Sequence, residues 1–196
     1  MFIVFEGIDG TGKTTLSKKL VEFLLSKGIK AVWTREPYSK PILEVLKGKE
    51  LSPWAETHLF LADRDIHIGE FIKPYLEKGY TVVSDRYYLS TLAYQGFGRG
   101  LDLELLKRLN EQIVGDLKPN LTILLDINVD KAVERIEKNR KNRDRFEKVE
   151  FLKRVREGFL KLAKEEKNVV VLNGDKNVYE LLGEILKQIS RLIDKR

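Results

Sequence analysis

The apolar run Phe2-Ile3-Val4-Phe5 leads through Glu6 into Gly7-Ile8-Asp9-Gly10-Thr11-Gly12-Lys13-Thr14, and Leu16, Leu20, Phe23 and Leu24 follow at helical spacing. An uninterrupted apolar run suits a strand buried on both faces. The segment after it fits G-x-x-x-x-G-K-[ST], in which glycines let backbone N–H groups turn inward around phosphate oxygens that a Cβ would obstruct. The positive N-terminal end of the next helix adds to the attraction. Strand, phosphate loop and helix in this order predict a parallel α/β sheet and a bound ATP-type nucleotide. The candidate nucleotide-binding residues are Gly7, Ile8, Asp9, Gly10, Thr11, Gly12, Lys13, Thr14 and the adjoining Thr15. Lys13 is placed to reach the β- and γ-phosphates, and the Thr14 hydroxyl to ligate Mg²⁺.

The rest of the chain repeats the alternation. Lys30–Thr34, Thr81–Ser84, Leu121–Leu125 and Val169–Leu172 read as strands. Between them, helical periodicity runs from about Trp54 to Glu77, with Pro74 expected to end or kink it, then through Leu105–Ile113, Ala132–Ile136, Phe151–Phe159 and Val178–Ile189. The expected fold is therefore α/β: a three-layer P-loop NTPase fold whose five-stranded parallel sheet is flanked by helices, in one domain spanning residues 1–196. Ligands of such sheets bind beyond the carboxyl ends of the strands.

Composition excludes several classes of function. The absence of cysteine removes disulfides, thiolate metal sites and cysteine nucleophiles, and the two histidines, His58 and His67, make a histidine metal centre improbable. No apolar stretch approaches the ~20 residues that span a bilayer, and the start lacks a signal-peptide pattern, so a cytoplasmic protein without a membrane partner is expected. The net charge of +6 raises the question of nucleic acid. Most lysines, however, are interleaved with glutamates, as in Ala163-Lys164-Glu165-Glu166-Lys167, which describes a solvated face. An arginine-dense run from Arg135 to Arg156 is the exception.

A second candidate site lies at the end of the third strand. Asp85 there can hold Mg²⁺ through water, and the fork of Arg86 suits a phosphate. Read alone, Asp85 could instead cap the next helix. No guanine-selective Asn-Lys-x-Asp element follows a strand, which disfavours a GTPase.

Phe5-Glu6-Gly7 through Thr15, then Thr34-Arg35-Glu36-Pro37, Asp85-Arg86-Tyr87, Ser90-Thr91-Leu92-Ala93-Tyr94-Gln95-Gly96, Arg99-Gly100 and Asp144-Arg145-Phe146-Glu147 together resemble the thymidylate kinase family, in order over nearly the whole chain. The resemblance implies transfer of the γ-phosphoryl group of Mg–ATP to dTMP by a homodimer. It assigns dTMP binding to Asp9, Glu36, Pro37, Phe60, Arg64, Arg86, Thr91, Tyr94 and Gln95. Phe60 would stack on thymine and Arg64 would meet its carbonyl edge; their i, i+4 spacing puts both on one helix face. Tyr94 would leave no room for a ribose 2′-hydroxyl. Asp9 would reach toward the acceptor sugar or the metal, joining Thr14 and Asp85 as candidate Mg²⁺ ligands. The segment at about 138–149 resembles a lid that closes over ATP, with Arg140 binding ATP and Arg143 and Arg145 joining Lys13, Asp85 and Arg86 in catalysis. Gly10 stands where some members carry a phosphate-loop arginine, which points to the lid arginines for cationic help.

The chain departs from the family after Pro37. Tyr38-Ser39-Lys40-Pro41 follows, and the stretch to Trp54 reads as shortened, leaving Lys47 and Lys49 without a role. Three other readings stay open on the residues alone: a kinase for another nucleoside monophosphate, a non-catalytic ATP-binding module, and a nucleic-acid binder.

Overall fold

The computed structural model describes residues 1–136 and 145–193, excepting the side chains of residues 145–147 and 193. Five strands form one parallel sheet: β1 (Phe2–Glu6), β2 (Ala31–Arg35), β3 (Thr81–Asp85), β4 (Leu121–Asp126) and β5 (Val169–Asn173), in the order β2-β3-β1-β4-β5. The register pairs Phe5 with Asp85 and with Ile123, so β1 and β3 end at nearly one level while β4 runs on to Asp126. The phosphate loop leaves β1 at that level, and Arg86 leaves β3 beside it.

Burial on both faces explains the unbroken apolar runs. Phe2 and Val4 enter one core layer with Tyr87, Leu92, Leu106 and Phe159, while Ile3 and Phe5 enter the opposite layer with Leu16, Leu20, Leu181 and Ile185. The second layer is closed by α1 (Lys13–Ser26) and the C-terminal helix, Val178–Ile193. Among the described residues no helix is long and apolar enough to cross a membrane.

Two regions refine the sequence expectation, in which Pro74 ends or kinks the long helix. The segment Tyr38 to Pro53, left without a role, contains α2 (Lys40–Gly48), which opens with Pro41 in its first turn and packs on α3 (Pro53–His67). Pro74 does not end the long helix. The chain widens into a π-helical turn, Ile68–Ile72, and continues as α4 (Lys73–Glu77). Proline lacks an N–H and its ring presses on the carbonyl of residue i−4, so a wider turn just before it absorbs the conflict. A second π-helical stretch, Leu92–Gly98, follows α5 (Tyr88–Thr91). The remaining helices are α6 (Leu103–Val114), α7 (Val129–Ile136), α8 (Arg145–Glu165) and α9, the C-terminal helix above.

Candidate active site

The loop between β1 and α1 has the backbone that its glycines permit. Gly7 and Gly10 have φ of 137° and 85°, and a Cβ on either would come within 2.5 Å of a carbonyl oxygen, of Leu125 and Ala132 respectively. A side chain at position 10 would therefore need a strained backbone and a shift of the helix that carries Ala132. Lys13 is buried and donates from Nζ to the Ile8 carbonyl at 2.8 Å and to Thr11 Oγ1 at 3.4 Å. Burial, reinforced by the neighbouring Arg86 charge and only partly offset by Asp9, Asp85 and Glu6, lowers its pKa to about 7. Thr14 Oγ1 donates to Asp85 Oδ2 at 2.5 Å. The other carboxylate oxygen, Asp85 Oδ1, is buried without a hydrogen-bond partner among the described residues. A hydroxyl and a half-satisfied carboxylate suit Mg²⁺, which takes oxygen ligands and commonly binds through one or two carboxylates plus substrate phosphates.

A cavity of about 340 Å³ opens over this loop, lined by Asp9, Gly10, Gly12, Lys13, Thr14, Thr15, Asp85 and Arg86 together with Arg35 and Arg135. Thr11 and Ile8 face away from it: Ile8 belongs to the core and the Thr11 hydroxyl donates to the Ile8 carbonyl at 3.0 Å. Arg135 of α7 touches the Gly10 carbonyl at 3.4 Å and pairs with Asp175 at 3.3 Å. Arg140 and Arg143 of the expected lid lie outside the described residues, as does the side chain of Arg145.

A second cavity, of about 330 Å³, shares Asp9 and Arg86 with the first. All the residues that the sequence assigned to the acceptor line it: Asp9, Glu36, Pro37, Phe60, Arg64, Arg86, Thr91, Tyr94 and Gln95. Helix α3 presents Phe60 and Arg64 on one face, and the π-helical turn after α5 presents Tyr94 and Gln95. Arg35 is absent from this cavity because side chains alternate at the end of β2: Glu36 turns to the acceptor and Arg35 to the phosphate loop.

The acceptor wall is cross-linked. Arg64, 1% exposed, donates from Nε and Nη2 to the two oxygens of Glu36, at 3.2 and 2.5 Å, and from Nη1 to Thr91 at 3.0 Å and Asn110 at 2.5 Å. Its second Nη2 proton is the donor left for a ligand. Behind Glu36, His67 Nδ1 lies 3.4 Å from Oε1, while His67 Nε2 lies 2.7 Å from the Thr34 hydroxyl. Burial works against the Glu36 anion, but Arg64 and His67 outweigh it and hold the carboxyl below its ordinary range. The segment after Pro37 is tied down by Asp63, whose carboxylate accepts from the backbone N–H groups of Tyr38 and Ser39 at 2.8 and 2.7 Å.

At the junction of the cavities, Arg86 donates from Nη2 to Asp9 at 2.5 Å and to the Tyr94 hydroxyl at 3.3 Å, and its guanidinium lies 4.9 Å from the centre of the Tyr94 ring. The same hydroxyl accepts from the Asp9 backbone N–H at 3.1 Å. Desolvation raises the Asp9 pKa, but the charges of Arg86 and Lys13 and the bonds from Arg86 and Tyr94 more than reverse it, keeping Asp9 ionised below the usual range.

Sequence reasoning missed Leu43, Leu46 and Glu56 in the acceptor wall, Asn110 behind it, and Arg135 over the phosphate loop, and it quoted Ser90 of that wall only within a motif. Arg99, quoted only as part of a motif, pairs with Glu56 at 3.4 Å on that wall.

A parallel sheet with a phosphate loop, and a second concave site joined to it by an arginine, defines a P-loop nucleotide kinase. The family model for thymidylate kinase matches residues 5–185, and the chain belongs to that family. It is 45% identical over 192 residues to the thymidylate kinase of Carboxydothermus hydrogenoformans, with 94% of each chain covered. It is 43% identical over 188 residues to that of a Sulfurihydrogenibium species, with 92% of each covered. The probable thymidylate kinase of Archaeoglobus fulgidus is 42% identical across 99% of this chain and 97% of its own.

Proposed function

We infer that this chain transfers the γ-phosphoryl group of ATP to dTMP, giving ADP and dTDP, with the two cavities dividing the work. The observation that carries the reading is their common wall, Asp9 and Arg86, which sets a donor cradle and an acceptor pocket in contact. In the acceptor pocket Phe60 offers a ring for the base, the free Arg64 N–H a donor for a base carbonyl, and Tyr94 a wall against the sugar. Arg86 then holds the acceptor phosphate at the edge of the donor site.

The acceptor oxygen is already anionic at neutral pH, so no strong general base is needed. The obstacle is the meeting of two polyanions, which Lys13 and Arg86 counter by placing fixed positive charge where it develops in an in-line transfer. Lys13 exchanges its bond to the Ile8 carbonyl for phosphate oxygens. Thr14 and Asp85 would hold Mg²⁺, which supplies charge neutralisation between the phosphates when bound. Arg140, Arg143 and Arg145, carried over from the family resemblance, complete the donor side of this reading.

The reading also includes a homodimer in the cytoplasm. On α3, Leu59 is half-buried and Ala62 and Ile66 are exposed at helical spacing, a small-residue and aliphatic stripe suited to a second copy. Ile66→Glu is expected to yield monomers by light scattering. The activity itself is tested by a coupled ADP assay over a panel of nucleoside monophosphates. The expected result is fastest turnover with dTMP; better turnover of UMP, GMP or AMP would overturn the assignment.

A further inference from the structure

Glu6 carries a buried carboxylate that phosphoryl transfer itself leaves without a task. Alternation along β1 puts its side chain on the face of Phe2 and Val4, where Tyr87 and Tyr88 pack. It is 0% exposed and both its oxygens are engaged. Oε1 accepts from the backbone N–H groups of Tyr87 at 2.9 Å and Ser90 at 3.2 Å, and Oε2 accepts from the Ser90 hydroxyl at 2.6 Å. Ser90 Oγ in turn accepts from Arg86 Nη1 at 3.0 Å. Arg86 has φ of 78°, in the left-handed region that non-glycine residues adopt only when their surroundings impose it. Its own N–H is held by the Phe5 carbonyl at 2.9 Å and its carbonyl accepts from the Ser84 hydroxyl at 2.8 Å, so β1 and β3 both restrain this turn.

We propose that Glu6 is a positioning residue for Arg86, acting through Ser90 and through the backbone of the turn. The inference rests on the reading of Arg86 as the group that holds the acceptor phosphate. Glu6 immediately precedes Gly7, so its backbone opens the donor loop while its side chain fixes the acceptor arginine. One residue thereby keys the two cavities to each other.

The ionised form is the one that does this. A carboxylate only accepts, so the Ser90 hydroxyl proton points at Glu6 and a lone pair of Oγ is left for Arg86. A neutral carboxyl or an amide donates to Oγ instead, and the hydroxyl proton loses its acceptor. The groups facing Glu6 are Arg86 and Glu36 beyond the ends of β3 and β2, Lys13 on α1 and Tyr88 on α5. Burial, opposed by the bonds from Ser90 and Tyr87 and by the Arg86 charge, raises the Glu6 pKa to about 7. The change of form therefore falls inside the range of a kinase assay.

The test is steady-state kinetics of the full chain between pH 6 and pH 9, with KM for dTMP and for ATP measured separately. At pH 8, Glu6→Gln is expected to raise KM for dTMP about tenfold while KM for ATP stays within about twofold. Comparison of variant with wild type cancels the ionisation of dTMP itself, while any change at Lys13, whose charge Glu6 supports, is read in KM for ATP. The ratio of the two dTMP constants should fall toward one at pH 6, where wild-type Glu6 is also neutral. Ser90→Ala cuts the middle link and should raise KM for dTMP in the same direction, and the double variant should be no worse than the worse single one. An unchanged KM for dTMP in Glu6→Gln, a pH-independent ratio, or equal rises in both constants would overturn the proposal. Should Glu6→Gln fail to fold, Ser90→Ala decides by the pH dependence of its ratio to wild type, which should fall toward one at pH 6 and which a wall contact alone would leave constant. Arg86→Ala separates the two layers of the argument. If it leaves KM for dTMP unchanged, the reading of Arg86 fails; if it raises KM while the Glu6 and Ser90 variants do not, only the positioning role fails.

Discussion

The donor and acceptor cavities are nearly equal in volume and opposite in construction. The acceptor wall is satisfied from within: Arg64 is shared among Glu36, Thr91 and Asn110, and Glu36 is backed by His67. The donor side holds groups that a ligand would satisfy better. Lys13 spends its ammonium on a loop carbonyl, and Asp85 Oδ1 has no partner among the described residues. The contrast follows from the task. Selection among similar acceptors requires rigid donors and acceptors whose mispairing is costly. Transfer requires charge that is stronger in the transition state than in the ground state.

The largest effects should come from removing that donor charge. Lys13→Ala and Asp85→Asn are each expected to lower kcat by ~100-fold or more, with KM for dTMP little altered, as for lost transition-state contacts. Activity within about twofold of wild type would remove either residue from the donor machinery. The acceptor wall should respond differently. Glu36→Ala leaves a buried, unpaired guanidinium and should cost about 3–5 kcal/mol of stability, read from denaturant melts. Replacing both partners, as in Glu36→Leu with Arg64→Met, should recover much of that stability yet not restore dTMP binding. A double variant that bound dTMP normally would show that the pair serves packing alone.

The two cavities were not equally legible in the sequence. Phosphate loops are local, so most of the donor lining could be read from one contiguous stretch. The strands were equally plain, because burial on both faces leaves an uninterrupted apolar signature. The acceptor pocket is assembled from separate segments, and beyond Asp9 and Arg86 only the family resemblance named its lining in advance. What escaped was what depends on tertiary contact alone. Asn110 reaches Arg64 from a helix 46 positions away, and its own stretch carries no motif. Leu43 and Leu46 enter the wall only because α2 folds over α3, and a helix of nine residues opening with Pro41 gives little periodicity to detect. Arg135 lay in the arginine-dense run, but only the packing of Ala132 against Gly10 reveals that it hangs over the donor loop.

A smaller effect links the donor site to pH. Lys13, lowered to about 7 by burial and by Arg86, is largely neutral at pH 8, and an incoming polyphosphate favours its charged form. ATP binding should therefore take up close to about one proton at pH 8 and little at pH 6, where Lys13 is already charged. Titration calorimetry in buffers of different ionisation enthalpy measures this directly. Lys13→Met should abolish the uptake; a persistent uptake would assign the proton to another group.

The smallest expected effect probes the seam between the cavities. Tyr94 contributes a ring to the acceptor wall and a hydroxyl that accepts from Asp9 and Arg86. The two contributions separate in Tyr94→Phe, which keeps the ring and loses the hydroxyl. If the ring alone excludes a ribose 2′-hydroxyl, the preference for the deoxy acceptor should survive unchanged, whereas Tyr94→Ala should relax it. Turnover of the Phe variant should fall by only a few-fold, since the hydroxyl's bonds to the Asp9 N–H, the Asp9 carboxylate and Arg86 are long, at 3.1, 3.3 and 3.3 Å, and Asp9 remains paired with Arg86. A loss of sugar preference in the Phe variant would shift discrimination from the ring to the Asp9–Tyr94–Arg86 junction, making specificity a property shared by both cavities and not of the acceptor wall alone.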